Sequence, residues 1–81
     1  MNYKKIWNKT DEDLKNSLPA HAYEAWIETL SPIGITNDIF IVEAPNQFAY
    51  DWIINNYQDI ISSSLNEVDE KLQLKISIAP Q

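Results

Sequence analysis

The sequence has no cysteine, no arginine and only one glycine among its 81 residues. Without cysteine, the chain cannot form a disulfide or offer a thiolate to a metal ion, which fits a reducing compartment. A single glycine cannot build the glycine-rich turns that hold phosphate groups in P-loop and dinucleotide-binding proteins. These absences exclude a disulfide scaffold, a thiolate metal site and those two classes of nucleotide-binding loop.

Long hydrophobic runs are also missing from the chain. A membrane-spanning helix requires about 18 consecutive apolar residues, and no such stretch occurs. The first residues, MNYKKIWNKTDED, include two lysines, but the apolar run of a signal peptide does not follow them. We therefore expect a cytoplasmic protein that has no membrane partner.

Positive charge is scarce. Six lysines stand against twelve acidic residues, which gives a net charge of −6. An acidic surface repels phosphate, so tight binding to nucleic acid needs a local basic patch. The lysines fall mostly in the first and last predicted elements, at Lys4, Lys5, Lys9, Lys15, Lys71 and Lys75. We expect at most weak binding to single-stranded DNA.

The groupings of side chains that catalysis requires are not visible in the sequence. Neither a nucleophile beside a base, nor a paired set of carboxylates, nor a metal-ligand cluster can be identified. The single histidine, His21, lies on the polar side of a predicted helix, where an ordinary surface role is the default. The acidic run of residues 11–13 predicts a solvated helix face. We therefore predict a non-enzymatic domain without a metal or other cofactor.

The residues that are present are typical of a folded domain. Apolar residues make up 44% of the chain and include three Trp, four Tyr and two Phe, which is too many for a disordered tail. A chain of this length has room for one hydrophobic core. We expect a single domain over residues 1–81.

Hydrophobic periodicity predicts the element order ααββαβ. Apolar side chains at helical spacing predict helices over residues 2–17, 19–30 and 47–68, and alternation predicts strands over 33–36, 39–43 and 72–79. Thr10 followed by three acids is also typical of a helix N-cap, so the first helix either runs through Thr10 or restarts there. Asn37 and Asp38 tolerate the left-handed turn of a tight hairpin, and Asn46 is suited to cap the third helix.

This order predicts an α+β fold with three helices packed on a small three-stranded sheet. The last strand returns through a long helix, so it should lie parallel to the second strand with a right-handed crossover. One sheet face would be buried, and the other, with Lys75, would face water. The topology is KH-like, but the glycine-bearing loop that clamps the nucleic-acid backbone in KH domains is missing.

Phe48 is predicted to lie outside the core. At about 100° per residue, it falls roughly 130° from the centre of the buried stripe of the third helix, between Ala49 and Tyr57. Trp52 lies at the margin of that stripe. Either Phe48 faces water, or a neighbouring loop or the second helix covers it.

Two stretches carry a resemblance to a known family. LPAHAYEAWIETL, followed by a hairpin, APNQFAYDWI and a closing alternating strand, resembles the N-terminal domain of the bacterial replication initiator DnaA over nearly the whole chain. The resemblance implies a protein-interaction domain that self-associates as a weak homodimer, helps recruit the replicative helicase and binds initiation regulators. It places a partner-binding patch at Ala25, Trp26, Asn46, Gln47, Phe48, Ala49 and Trp52.

The same resemblance implies self-association through Ile6 and Trp7 on the first helix. On the helical wheel Trp7 also lies on the apolar stripe, so core packing is the alternative. We favour a surface position for Trp7, because Tyr3, Ile6, Leu14 and Leu18 can fill the stripe without it. Some family members carry an acidic residue for helicase contact where this chain has Ala22.

Two other functions stay open from the sequence. One is a KH-like module that binds single-stranded nucleic acid weakly through Lys71, Lys75 and surface aromatic residues. The other is a free-standing mimic of the initiator domain that titrates the partners of the initiator.

Overall fold

The computed structural model of the protein describes residues 2–80, and its helices and strands follow the predicted order with one helix more than predicted. Helix α1 spans Tyr3–Ser17, and α2 (Ala20–Ala22) continues directly as a π-helical turn over Tyr23–Ile27. Helices α3 and α4 span Gln47–Asn56 and Gln58–Val68. The strands are β1 (Ser31–Thr36), β2 (Ile39–Ala44) and β3 (Gln73–Ile78). Within residues 2–80, none of the helices is long and apolar enough to cross a membrane.

Helix α1 is continuous through Thr10. Its N-cap is Asn2, whose Oδ1 accepts a hydrogen bond from the Lys5 N–H at 2.9 Å. The Thr10 hydroxyl is buried and donates back to the Ile6 carbonyl at 2.9 Å, so it does not cap a new helix. The helix ends before Pro19, because the ring of proline disfavours helical backbone at Leu18.

The third predicted helix is broken at Tyr57, so the prediction of one helix over 47–68 is wrong. Tyr57 has φ −128° and ψ −6° and separates α3 from α4. Just before it, the side-chain amides of Asn55 and Asn56 donate to the carbonyls of Asp51 and Trp52, each at 2.9 Å. Asparagine side chains that bond local carbonyls compete with helical hydrogen bonding, which gives a physical reason for the break.

The sheet has the predicted topology. Strands β1 and β2 are antiparallel and joined at Asn37 and Asp38, whose φ angles of 51° and 64° suit a tight hairpin turn. Strand β3 pairs with β2 in parallel from Ile39↔Gln73 to Ala44↔Ile78. The sheet order is therefore β1-β2-β3, as expected for a hairpin followed by a crossover to a parallel strand.

Trp7 belongs to the hydrophobic core, and the preference for a surface position was wrong. Its side chain is only 5% exposed and stacks on Phe40 with 6.0 Å between ring centroids. Tyr3 and Leu18 are only partly buried, so these two residues do not fill the stripe of α1 as expected. Ile6 is buried as well, and neither Ile6 nor Trp7 offers side-chain surface to a second copy in this fold.

The acidic run on α1 is not simply a solvated face. The Tyr23 hydroxyl donates to both carboxylate oxygens of Asp11, at 2.9 and 3.0 Å. The buried Ser64 hydroxyl donates to Asp13 Oδ2 at 2.6 Å. These bonds join α1 to the π-helical turn and to α4, so two of the three acids hold elements together.

Candidate protein-interaction surface

The start of α3 is fixed by a side-chain cap. Asn46 has an extended backbone, and its Oδ1 accepts a hydrogen bond from the Ala49 N–H at 2.8 Å. Ala49 points into the core and is 5% exposed. Phe48, one residue earlier on the helix, therefore points away from the core and is 71% exposed, which confirms the helical-wheel prediction.

Phe48 forms an aromatic patch with Trp26 and Trp52. Phe48 and Trp52 are four residues apart on α3 and so lie on the same side of the helix. The Trp26 ring centroid lies 5.8 Å from that of Phe48 at 50°, and 5.3 Å from that of Trp52 at 20° in a stacked pair. Trp52 is 44% exposed, so the contact with Trp26 leaves much of the aromatic patch open.

The π-helical turn sets the position of Trp26. The Glu28 N–H donates to the Tyr23 carbonyl at 2.9 Å, five residues back, where an α-helix would use the residue four back. The wider turn changes the direction of the side chains that it carries. The Thr29 hydroxyl donates to the Trp26 carbonyl at 2.6 Å and closes the end of the turn. Such π-turns are frequent at functional sites.

The other predicted patch residues divide into exposed and buried ones. Ala25, Asn46 and Gln47 are exposed, and Gln47 Nε2 donates to Asp51 Oδ1 at 2.7 Å along the side of α3. Ala49 lies beneath the surface, so its assignment to a binding patch is corrected: its methyl group packs in the core and is not available to a partner.

A cleft next to the π-helical turn was not found from the sequence. It has a volume of about 540 Å³ and lies between the end of α1 and the turn, lined by Lys15, Asn16, Leu18, Ala20, Tyr23, Glu24 and Glu28. Burial and the hydrogen bond to Asp11 raise the pKa of Tyr23 to about 12. No local pattern could have found the cleft, because its walls come from separate helices. Among residues 2–80, no group of three or more His, Asp or Glu side chains could hold a metal ion.

Comparison with known proteins identifies the fold. The model of the DnaA N-terminal domain family matches residues 4–67. The chain belongs to the DnaA N-terminal domain family. This membership confirms the resemblance seen in the sequence and connects the chain with protein–protein interaction in the initiation of DNA replication.

A solved structure shares this DnaA N-terminal fold. In the crystal structure of a HobA–DnaA (domain I–II) complex from Helicobacter pylori, one chain matches with a TM-score of 0.79 and 20% sequence identity. The match covers 93% of this chain and 99% of that chain. At this level of identity the likeness establishes the fold, and the assignment of individual binding residues stays a prediction.

Proposed function

We propose that this domain binds protein partners of a replication initiator through the aromatic patch, and that these partners include the replicative helicase and initiation regulators. The observation that carries the proposal is the exposure of Phe48 beside two tryptophans, on two elements whose buried sides already form the core. Leaving a phenylalanine in water forgoes about 1.5–3 kcal/mol of burial. Aromatic residues that meet a partner recover this free energy and act as the anchors of protein interfaces.

Family membership and the solved relative support this proposal. The Helicobacter pylori DnaA fragment was crystallised as a complex with HobA, so a domain of this fold accepts a protein partner. Because the partners of an initiator would bind it at the chromosome, we propose a cytoplasmic location for this domain. Because the family is one of protein-interaction domains, we propose that this domain acts by binding alone.

Self-association is a separate part of the proposal. The family resemblance implies a weak homodimer, but Ile6 and Trp7 are buried in the hydrophobic core. A dimer of this domain must therefore use other residues. At the position where some family members carry an acidic residue for helicase contact, this chain has Ala22, which is buried, and the nearest acid, Glu24, is exposed.

The substitution Phe48→Ala tests the proposed docking surface. We expect the free energy of unfolding to change by less than about 1 kcal/mol, because little of the side chain is buried. The affinity for the replicative helicase or a regulator should fall by about 2 kcal/mol or more, which is roughly 30-fold, as for other aromatic anchors. Isothermal titration and chemical denaturation measure the two quantities.

Ile33→Ala is the matched control, since Ile33 is an exposed apolar residue on β1, 47% exposed, and does not belong to the aromatic patch. It should leave partner binding unchanged. Equal affinities of wild type and Phe48→Ala for the helicase and for regulators would refute the proposal. A large loss of stability in Phe48→Ala would show that the side chain serves the fold.

A further inference from the structure

The charges of this chain are divided along the sequence. All six lysines lie at or before residue 15 or at or after residue 71, so the segment 16–70 contains no lysine or arginine. Of the twelve acidic residues, only Asp11, Glu12 and Asp13 lie outside that segment. Both elements that build the aromatic patch, the π-helical turn and α3, come from the segment without positive charge.

Carboxylates lie on both of these elements. Asp51 is exposed, three residues after Phe48 and directly before Trp52, and Gln47 holds it in place on the side of α3. Glu24 and Glu28 are exposed two residues before and after Trp26, but they line the neighbouring cleft together with Lys15, and positions two apart do not face the same side of a helix. Charges on adjacent helical positions are closer together than the Debye length of about 8 Å at physiological salt. The charge next to the aromatic rings of α3 is therefore the negative charge of Asp51, and neither patch element carries a lysine or arginine that would offset it.

The aromatic rings favour the same sign of ligand charge. Trp26 and Trp52 are stacked and partly open to solvent, and the face of an indole ring attracts a guanidinium or ammonium group more strongly than the other aromatic rings do. An acidic partner segment would instead be repelled by Asp51, because like charges across an interface oppose association.

We propose that the partner surface that occupies the aromatic patch carries arginine or lysine side chains around an apolar anchor. The apolar anchor would pack on Phe48 and Trp52, and the cationic groups would meet the indole faces and Asp51. This inference rests on the proposed function and specifies the chemistry of the partner. It also predicts that association is faster at low salt, as expected for complementary charges.

Two synthetic peptides test the proposal. They share the same leucine positions and differ in carrying arginine or glutamate at every polar position. The probe is the set of indole N–H signals in NMR spectra: Trp26 and Trp52 report on the aromatic patch, and the buried Trp7 is the internal reference. We expect the arginine peptide to shift the signals of Trp26 and Trp52 and to bind at least about tenfold more tightly than the glutamate peptide.

Charge variants test whether Asp51 contributes to the binding of the arginine peptide. Asp51→Asn should weaken the arginine peptide several-fold, Asp51→Lys should weaken it further, and raising salt from about 50 to about 300 mM should reduce the affinity of the wild type. Asp59→Asn is the matched control, because Asp59 is an exposed acid on α4, outside the patch elements, and should have no effect.

Equal binding of the two peptides, tighter binding of the glutamate peptide, or no shift of Trp26 and Trp52 with the arginine peptide at millimolar concentration would overturn the proposal. These outcomes are separate from a failure of the proposed function. That failure would appear as helicase and regulator binding that does not depend on Phe48, whatever the charge of the peptides.

Discussion

Trp7 and Phe48 show how differently two aromatic residues of this small domain are used. Trp7 packs on Phe40 between α1 and the sheet, whereas Phe48 projects from the first turn of α3 beside Trp26. Both positions follow from the helix that carries each residue and from the partner that the helix faces. The core depends on Trp7, and the candidate binding surface depends on Phe48.

Trp7→Ala is therefore expected to destabilise the domain. Removing a buried tryptophan costs about 3–5 kcal/mol, through lost burial and the cavity that it leaves. A domain of this size has little stability to spare, so much of the variant should be unfolded at 37 °C. Chemical denaturation followed by circular dichroism measures the effect, with Trp52→Ala as the exposed counterpart. A Trp7→Ala variant that unfolds at the same denaturant concentration as the wild type would contradict the assignment of Trp7 to the core.

At the scale of elements, the acidic residues of α1 join this helix to the π-helical turn and to α4 through hydrogen bonds. Asp11 accepts hydrogen bonds from Tyr23 on the π-helical turn, and Asp13 accepts one from Ser64 on α4. The Lys15 ammonium also lies 5.9 Å from the centroid of the Tyr23 ring. The turn that carries Trp26 is thus held to α1 through the phenol of Tyr23.

The Tyr23–Asp11 contact predicts a pH dependence of stability. The pKa of Tyr23 is raised from its ordinary value of 10.0 to about 12, first by burial and then by Asp11, so the folded state favours the protonated phenol. Its contribution to stability is complete below about pH 10 and is lost as the pH rises toward 12. In Tyr23→Phe this loss is absent.

Denaturation of wild type and Tyr23→Phe between pH 8 and pH 12 measures this contribution. The wild type should be the more stable protein at pH 8, by about 1.5–3 kcal/mol for a hydrogen bond to a charged acceptor. The difference should shrink as the pH approaches 12. If the difference in free energy of unfolding between wild type and Tyr23→Phe stays constant over this range, the phenol is not held by Asp11.

For the whole molecule, charge limits what the domain can bind. The net charge is −6, and the lysines are confined to the two ends of the chain. The KH-like element order would allow a sheet face with Lys75 to approach a single strand, but the rest of the surface opposes phosphate. The charge distribution favours protein partners over nucleic acid as the main ligands.

We expect single-stranded DNA to bind no more tightly than about 10⁻⁴ M at physiological salt, and more weakly as salt rises. Fluorescence anisotropy with a labelled oligonucleotide tests this expectation, and Lys75→Gln should weaken any binding that is seen. A sub-micromolar dissociation constant at that salt would favour the alternative function, a module that binds single strands.

Local patterns in the sequence determined much of this protein. The order of elements, the hairpin at Asn37 and Asp38, the Asn46 cap and the exposure of Phe48 all depend on residues within a few positions of one another. Backbone hydrogen bonding, side-chain caps and the helical period act over that range. The parallel pairing of β3 followed from a general rule for strand crossovers. For the candidate site, the sequence indicated the outward direction of Phe48 but not the ring stacking that surrounds it.

The tertiary structure decided the features that depend on which elements meet. The wheel of α1 could not show that Trp7 packs on Phe40, because that contact joins residues far apart in the chain. The hydrogen-bond partners of Asp11 and Asp13 lie 12 and 51 positions away in the chain. The sequence therefore predicted a solvated helix face, whereas two of the acidic side chains bind α1 to other elements. The π-helical turn and the break at Tyr57 likewise replaced longer regular helices. Such contacts are selected by packing of the whole core, where side-chain volume and hydrogen-bond partners from every element must fit at once.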